Sequence, residues 1–207
     1  MRHIGLFGGT FNPVHTGHLL AADAVREQLG LDEIRFLPAA FSPFKVRPKL
    51  SDSHRVAMLM HAVTDHPEFK IDTRELHMQG PSYTINTLKS INRDSPRNRL
   101  YLLIGMDAWQ GFEQWHKWQE IIEICHLVVT TRPGYSPKHL SDFWQAKKVT
   151  DANEIKRSRA RKLMFVSVPR SEAASSEIRK FIKKGQSTKR FLPDSVAQYI
   201  EEHQLYR

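Results

Sequence analysis

At 207 residues, with 40% hydrophobic and 26% charged side chains, the chain has enough apolar material for one globular domain and no bias toward disorder. No apolar run approaches the roughly 18 residues that a membrane-crossing helix needs, so no membrane partner is expected. A formal charge of +9, from 31 basic against 22 acidic residues, favours anionic partners such as nucleotides, phosphosugars or nucleic acid without choosing among them. The single cysteine, Cys125, excludes an internal disulfide and borders an apolar strand, which predicts an inert thiol in a reducing compartment, the cytoplasm. Met1-Arg2-His3 leads directly into a glycine-punctuated strand, so no signal peptide is expected.

The run Ile4-Gly5-Leu6-Phe7 reads as a buried first strand. Gly8 and Gly9 then permit unusual backbone angles and a close approach of a ligand to the main chain. From Gly17 the apolar positions Leu19, Ala22, Val25 and Leu29 recur at helical spacing, with Thr10 or Thr16 as a candidate cap and Gly30 as the stop. His15 and His18 therefore stand at a strand-to-helix junction, where free amides and the helix dipole favour an anion. They are three residues apart, so in a helix that starts by Thr16 both rings can face one ligand, with Gly17 leaving room for an oxygen between them. Two imidazoles so placed can stabilise charge building on a phosphorus centre under attack. The alternatives are a structural pair, with His18 capping and His15 in the loop, and a zinc pair. Zinc helices prefer the four-residue spacing of His-Glu-x-x-His, and no Cys or carboxylate nearby offers a third ligand, so no protein-held metal is expected.

The string Gly8-Gly9-Thr10-Phe11-Asn12-Pro13-Val14-His15-Thr16-Gly17-His18 resembles the signature of the nucleotidyltransferase superfamily, in which a His-x-Gly-His loop binds ATP phosphates. The family often has Asp where this chain has Asn12. The resemblance implies that Gly8, Gly9, Thr10, Phe11, His15 and His18 bind ATP and that the two histidines are catalytic. The same tetrad type occurs in class I aminoacyl-tRNA synthetases, so it implies chemistry at the α-phosphate and leaves the acceptor open.

Residues 33–38 read as a second strand ended by Pro38, followed by a loop carrying Lys45, Arg47 and Lys49, cations able to clamp a triphosphate. In the resembling family this loop carries Pro-Pro-His and a cation. Here Ser42-Pro43-Phe44-Lys45 keeps one proline and the cation, with Phe44 in place of the histidine, which implies Lys45 as an ATP ligand. Ser51 caps a helix with Val56, Leu59, Met60 and Val63 on one face. Residues 69–72 form a short third strand, and Pro81-Ser82-Tyr83-Thr84 opens a helix that runs to about Arg93. Residues 100–104 make the strongest buried strand, ending at Gly105-Met106-Asp107. A glycine and a carboxylate there suit the nucleotide crevice of a doubly wound sheet, where Asp107 can meet a ribose hydroxyl, orient a loop or cap the next helix. Trp109, Phe112, Trp115 and Trp118 follow, with Phe112 and Trp118 read as core.

Residues 126–131 are a fifth strand, closed by the turn Arg132-Pro133-Gly134-Tyr135, whose arginine suits a phosphate or carboxylate. Residues 136–162 are polar and poorly periodic, read as one helix and a mobile connection. The basic run 156–162 is read as a solvated surface connection in preference to a nucleic-acid patch. Residues 163–168 are the last strand. Ser171 to Arg179 then opens a helix reaching Lys184, stopped by Gly185, with Ser175 or Ser176 as cap. Arg179 lies on the face of Ser176, making a second phosphate site at a helix start. A closing helix occupies 193–203.

Several of these strings are similar to the bacterial nicotinate-mononucleotide adenylyltransferases: Pro81-Ser82-Tyr83-Thr84, Gly105-x-Asp107 followed by Phe112-x-x-Trp115, Arg132-Pro133-Gly134-Tyr135, and Leu205-Tyr206-Arg207. The superfamily's Ile-Ser-Ser-Thr-x-Ile-Arg string is matched at its end by Ser176-Glu177-Ile178-Arg179, with Ala173 and Ala174 replacing earlier positions. The resemblance implies that Gly105, Asp107, Ser175, Ser176 and Arg179 bind ATP, Arg179 catalytically. It also implies that Thr84, Trp115 and Arg132 hold the acceptor, Trp115 by stacking on the pyridine ring.

Alternating strands and helices predict an α/β fold, a doubly wound parallel sheet of Rossmann-like type, with both phosphate sites converging at the carboxyl edge of the strands. The expected reaction is adenylyl transfer from ATP, with Mg2+, to nicotinate mononucleotide. Nicotinamide mononucleotide and pantetheine phosphate are the alternative acceptors. RNA binding with a synthetase-like remnant site is the reading from another class. A synthetase would carry a Lys-Met-Ser-Lys-Ser-like loop, and none is visible, so no nucleic-acid partner is expected.

Overall fold

A computed structural model describes residues 1–40, 49–78, 80–135 and 139–207. In chain order the elements are β1 (His3–Gly9), α1 (Thr16–Leu29), β2 (Glu33–Pro38), α2 (Asp52–Val63), β3 (Phe69–Ile71), α3 (Thr84–Asp94), β4 (Arg99–Gly105) and α4 (Met106–Gln110). There follow α5 (Trp118–Ile124), β5 (His126–Thr131), α6 (Asp142–Gln145), β6 (Lys148–Val149), α7 (Ala152–Arg157), β7 (Leu163–Ser167), α8 (Ser175–Lys183) and α9 (Asp194–Glu202). No described helix is long and apolar enough to cross a membrane.

The described strands form one parallel sheet in the order β3-β2-β1-β4-β5-β7-β6. From β1 the chain moves outward through β2 to β3, then returns to the other side of β1 to lay down β4. The order therefore reverses between β1 and β4, whose carboxyl ends part to leave a crevice. This is the doubly wound α/β sheet expected from the alternation of elements.

Alternation along the strands feeds two apolar layers. Tyr101 and Leu103 of β4 join Val25 and Leu29 of α1, Leu59 of α2, Ile178 of α8 and Ile200 of α9 on one face. Leu100, Leu102 and Ile104 join Leu88 and Ile91 of α3 and Ile121 of α5 on the other, with Phe112 fully buried among them as expected and Trp118 packed at the edge. Cys125 is buried in this second layer, and burial pushes its thiol up to about 12, so it stays protonated.

Three local expectations are corrected. The N-cap of α1 is His15, not Thr10 or Thr16. The N-cap of α8 is Ala174, because the Ser175 hydroxyl is turned away to donate to Pro13 O at 2.9 Å. In α2, Ser51 caps as expected by accepting from His54 N, but the buried stripe is Arg55, Met58, Leu59 and Ala62, and Met60 faces solvent. The helix is turned so that Arg55 can reach the carbonyls of Thr10 and Ala39, which carries Met60 outward.

Residues 139–162 also hold more structure than one helix and a connection. Trp144 of α6, Val149 of β6 and Ile155 of α7 are all buried, isolated apolar residues in a polar stretch that each anchor a short element. The basic run lies at the amino end of β7. Lys156 donates to Gly30 O and Arg159 to Pro96 O, both at 2.9 Å, while Arg161 pairs with Glu123 and Lys162 with Glu154.

Candidate active site

The crevice at the β1/β4 reversal opens into a cleft of about 2490 Å³. One wall is the loop after β1. Gly9 sits under the Phe11 ring: a Cβ there would lie 2.8 Å from it. The unusual backbone angle falls not on Gly8 or Gly9 but on Phe11, at φ 47°. Phe11 is buried against Phe7, Phe36 and His18, and this apolar anchor holds the turn. Beneath it the fully buried Arg55 donates to Thr10 O at 2.7 Å, to Ala39 O at 2.8 Å and to Asp52 at 2.6 Å, binding the loop to the end of β2.

His15 and His18 stack with ring centroids 3.6 Å apart. The His15 amide donates to His18 Nδ1 at 3.2 Å, which places the proton of the neutral His18 ring on Nε2. His15 is only 7% exposed, and burial pulls it down to about 4, so its ring is neutral at physiological pH. Its Nδ1 has no partner among the described residues. The space above Gly17 is shared with Ser171: a Cβ on Gly17 would fall 2.8 Å from Ser171 Oγ and 3.1 Å from His15 Nδ1.

The facing wall is the start of α8. Arg179 Nη1 donates to Asn12 O at 2.6 Å, and Tyr206 donates to the Asn12 side chain at 2.7 Å. With Ser175 on Pro13 O, three residues from the end of the chain grip the loop near its beginning. Ser176, Lys180 and Lys183 line the cleft beside Arg179. The floor is the end of β4, where Gly105 faces open space and Asp107 stands in the first turn of α4. Thr84 at the start of α3, Trp115 and Arg132 line the remaining side.

The cleft thus gathers every candidate from the sequence that falls within the described residues: Gly8, Gly9, Thr10, Phe11, His15, His18, Lys49, Gly105, Asp107, Ser175, Ser176, Arg179, Thr84, Trp115 and Arg132. Lys45 and Arg47, with Phe44, lie outside the described residues. Sequence reasoning overlooked Arg55, Ser171, Tyr206 and Glu75. For Arg55 a signal exists, since an arginine interrupts the apolar stripe of α2. The other three depend on contacts between distant segments.

The donor set is imidazole, hydroxyl, guanidinium and ammonium, with Glu75, Asp107 and Glu172 as dispersed carboxylates. No described group of three His, Cys, Asp or Glu is arranged to hold a metal ion. Such walls fit a magnesium ion that arrives on a nucleotide's phosphates and keeps its own waters, in place of one caged by protein.

A doubly wound parallel sheet with a His-x-Gly-His loop and a helix start facing each other over the reversal point defines a nucleotide-handling protein of the nucleotidyltransferase type. Residues 6–181 match the model of the cytidylyltransferase-like family, and the chain belongs to that family. A relative from Pseudomonas aeruginosa strain PAO1 is 39% identical, covering 100% of this chain and 98% of its own. One from Aeromonas hydrophila is 38% identical, covering 99% and 97%. Both carry the name "Probable nicotinate-nucleotide adenylyltransferase". Among solved structures, Plasmodium falciparum nicotinic acid mononucleotide adenylyltransferase in complex with NaAD superposes with a TM-score of 0.74, at 18% identity, over 100% of this chain and 98% of that one. At that identity the likeness speaks for the fold.

Proposed function

We propose that the chain transfers the adenylyl group of ATP to the 5′-phosphate of nicotinate mononucleotide, giving nicotinate adenine dinucleotide and pyrophosphate. The observation that carries this reading is the meeting, in one cleft, of the His-x-Gly-His loop with Ser176 and Arg179 on one side and Thr84, Trp115 and Arg132 on the other. Relatives matched over essentially their whole length bear the corresponding name. The setting is NAD biosynthesis in the cytoplasm.

An oxygen of the acceptor phosphate attacks the α-phosphorus in line, a P–O bond forms, and the bond from that phosphorus to the bridging oxygen breaks. The electron pair leaves with pyrophosphate. A phosphate monoester dianion is already nucleophilic at neutral pH, so no protein nucleophile is required and catalysis is positioning plus charge stabilisation. The His18 Nε2–H and the His15 ring face the α-phosphate, and Arg179 and Lys45 favour the departing pyrophosphate. Neutral His15 offers a donor without opposing entry of Lys or Arg partners, and it gains basicity when phosphates approach. A magnesium ion carried in on the triphosphate would supply charge neutralisation for the leaving group, with no protein cage needed to hold it. Thr84 and Arg132 orient the acceptor, and Trp115 stacks on its ring.

The test is magnesium-dependent release of pyrophosphate from ATP with nicotinate and nicotinamide mononucleotides run side by side. Preference for the acid supports the reading. Preference for the amide keeps the chemistry and changes the acceptor, and release with neither redirects the search to pantetheine phosphate.

A further inference from the structure

The two histidines of the tetrad are held by different means. His18 Nδ1 accepts the His15 amide at 3.2 Å, so the backbone itself fixes the His18 proton on Nε2. His15 has no such arrangement. Its ring is buried, yet Nδ1 has no hydrogen-bond partner among the described residues. The His18 amide lies on the capping side of the ring but gives its hydrogen to His15 O at 2.9 Å. The Thr16 amide goes to Phe191 O, also at 2.9 Å. A buried polar atom left alone costs more than an ordinary hydrogen bond gains, so a partner within reach is called for.

Ser171 is the group within reach. It stands in the segment between β7 and α8, exposed and in the wall of the cleft. The point where a Gly17 Cβ would sit lies 2.8 Å from Ser171 Oγ and 3.1 Å from His15 Nδ1. The two atoms therefore border one methyl-sized space, and only glycine at position 17 leaves it open. Ser171 Oγ accepts from the Ala173 amide at 3.1 Å, and among the described residues nothing takes its O–H hydrogen. An unclaimed donor and an unclaimed ring nitrogen thus meet over Gly17. Turning the serine toward the ring gives up at most one bond to a half-buried amide that water can replace. In return it satisfies a nitrogen that water reaches poorly.

We infer that Ser171 is a positioning residue for His15: its hydroxyl donates to Nδ1 over Gly17 and fixes the ring's proton on Nε2. A neutral imidazole has one donor and one acceptor nitrogen, so a hydroxyl hydrogen on Nδ1 makes Nε2 the donor. Both rings of the stacked pair then carry their proton on the same nitrogen, one set by the backbone and the other by a side chain from the far end of the chain. The consequence for rate rests on the adenylyl-transfer reading above, in which His15 serves the α-phosphate. With its proton on Nε2 the ring donates to phosphate oxygens. With the proton on Nδ1 it would turn a lone pair toward them.

The experiment is long-range proton–nitrogen NMR correlation of the full chain carrying isotope-labelled histidine, at neutral pH and without substrate, which reports the nitrogen that bears the proton in each ring. The His15 signals are assigned by their loss in His15→Gln. Wild type, Ser171→Ala and Ser171→Thr are compared, with melting curves and pyrophosphate release from ATP and nicotinate mononucleotide as further readouts. His15 is expected in the Nε2–H form in the wild type and in Ser171→Thr, and as a mixture of the two forms in Ser171→Ala. In Ser171→Ala kcat should fall about five- to tenfold, with KM for ATP and the melting curve little changed, and threonine should restore it. A wild-type His15 protonated on Nδ1 overturns the inference. So does an Nε2–H ring that persists in Ser171→Ala, the result of a serine that only holds its own loop. An unchanged kcat in an active Ser171→Ala chain overturns it as well. The expected tautomers with no pyrophosphate release in any chain would uphold the assignment of Ser171 and refute the adenylyl-transfer reading.

Discussion

Among single residues, the strongest demands fall on the histidine pair and what surrounds it. On the proposed reaction, His18→Ala takes away a donor to the α-phosphate and should lower kcat/KM for adenylyl transfer by about 10² to 10³-fold, read from pyrophosphate release. Arg179→Ala should fall in the same range and also free the Asn12 carbonyl, so it should raise KM for ATP as well. Gly17→Ala is a sharper probe. The Ser171 hydroxyl can rotate away from the new methyl group, but Ser171 Cβ and the His15 ring each lie 3.1 Å from it and must shift by a few tenths of an ångström, so activity should drop at least tenfold while thermal stability falls by about 1 kcal/mol. Arg55→Met should act in the opposite proportion. It leaves the carbonyls of Thr10 and Ala39 without their donor inside the core, and urea denaturation should show a loss of about 3 kcal/mol.

Elements whose signals are local were legible in the chain. β2 and β5 match the expected ranges because their apolar runs are bounded by turn residues, and Gly30 adopts the left-handed angle that ends α1. Ser51→Ala should cost about 1 kcal/mol in chemical denaturation, since the cap on α2 is the hydroxyl-to-amide bond its sequence promised. What resisted reading was set by partners far along the chain. The rotation of α2 answers to Arg55 and two carbonyls of other elements, and Ser175 forsakes capping for Pro13, 162 positions away. The short elements between 142 and 157 rest on Trp144, Val149 and Ile155, each too isolated to show a period. The strings that bring the candidate residues to one cleft are short for a related reason. The tetrad, the Ser-Glu-Ile-Arg string and the three strings holding Thr84, Trp115 and Arg132 are each contiguous, whereas the bonds that gather them appear only after folding.

On the scale of the whole molecule, each end of the sheet holds a buried histidine. At the amino end His126 is fully buried beneath Tyr101, bonded to Ser158 O, and desolvation pulls it down to about 4, as it does His15 at the carboxyl end. An unfolded histidine titrates near 6.5. Between that value and about 4 the unfolded chain binds more protons, so stability should fall as pH drops through this window and level off below it, by up to about 1.4 kcal/mol per pH unit for each histidine. His126→Phe should lower the slope by one proton in denaturation series run across the window. The grip of Ser175, Arg179 and Tyr206 on residues 12 and 13 ties together segments 162, 167 and 194 positions apart. Closing loops of that length costs more chain entropy than any local turn, so these three bonds form only after the sheet between them has brought both partners close. The histidine loop therefore takes its final shape late in folding, as a product of the assembled sheet and not as a nucleus for it.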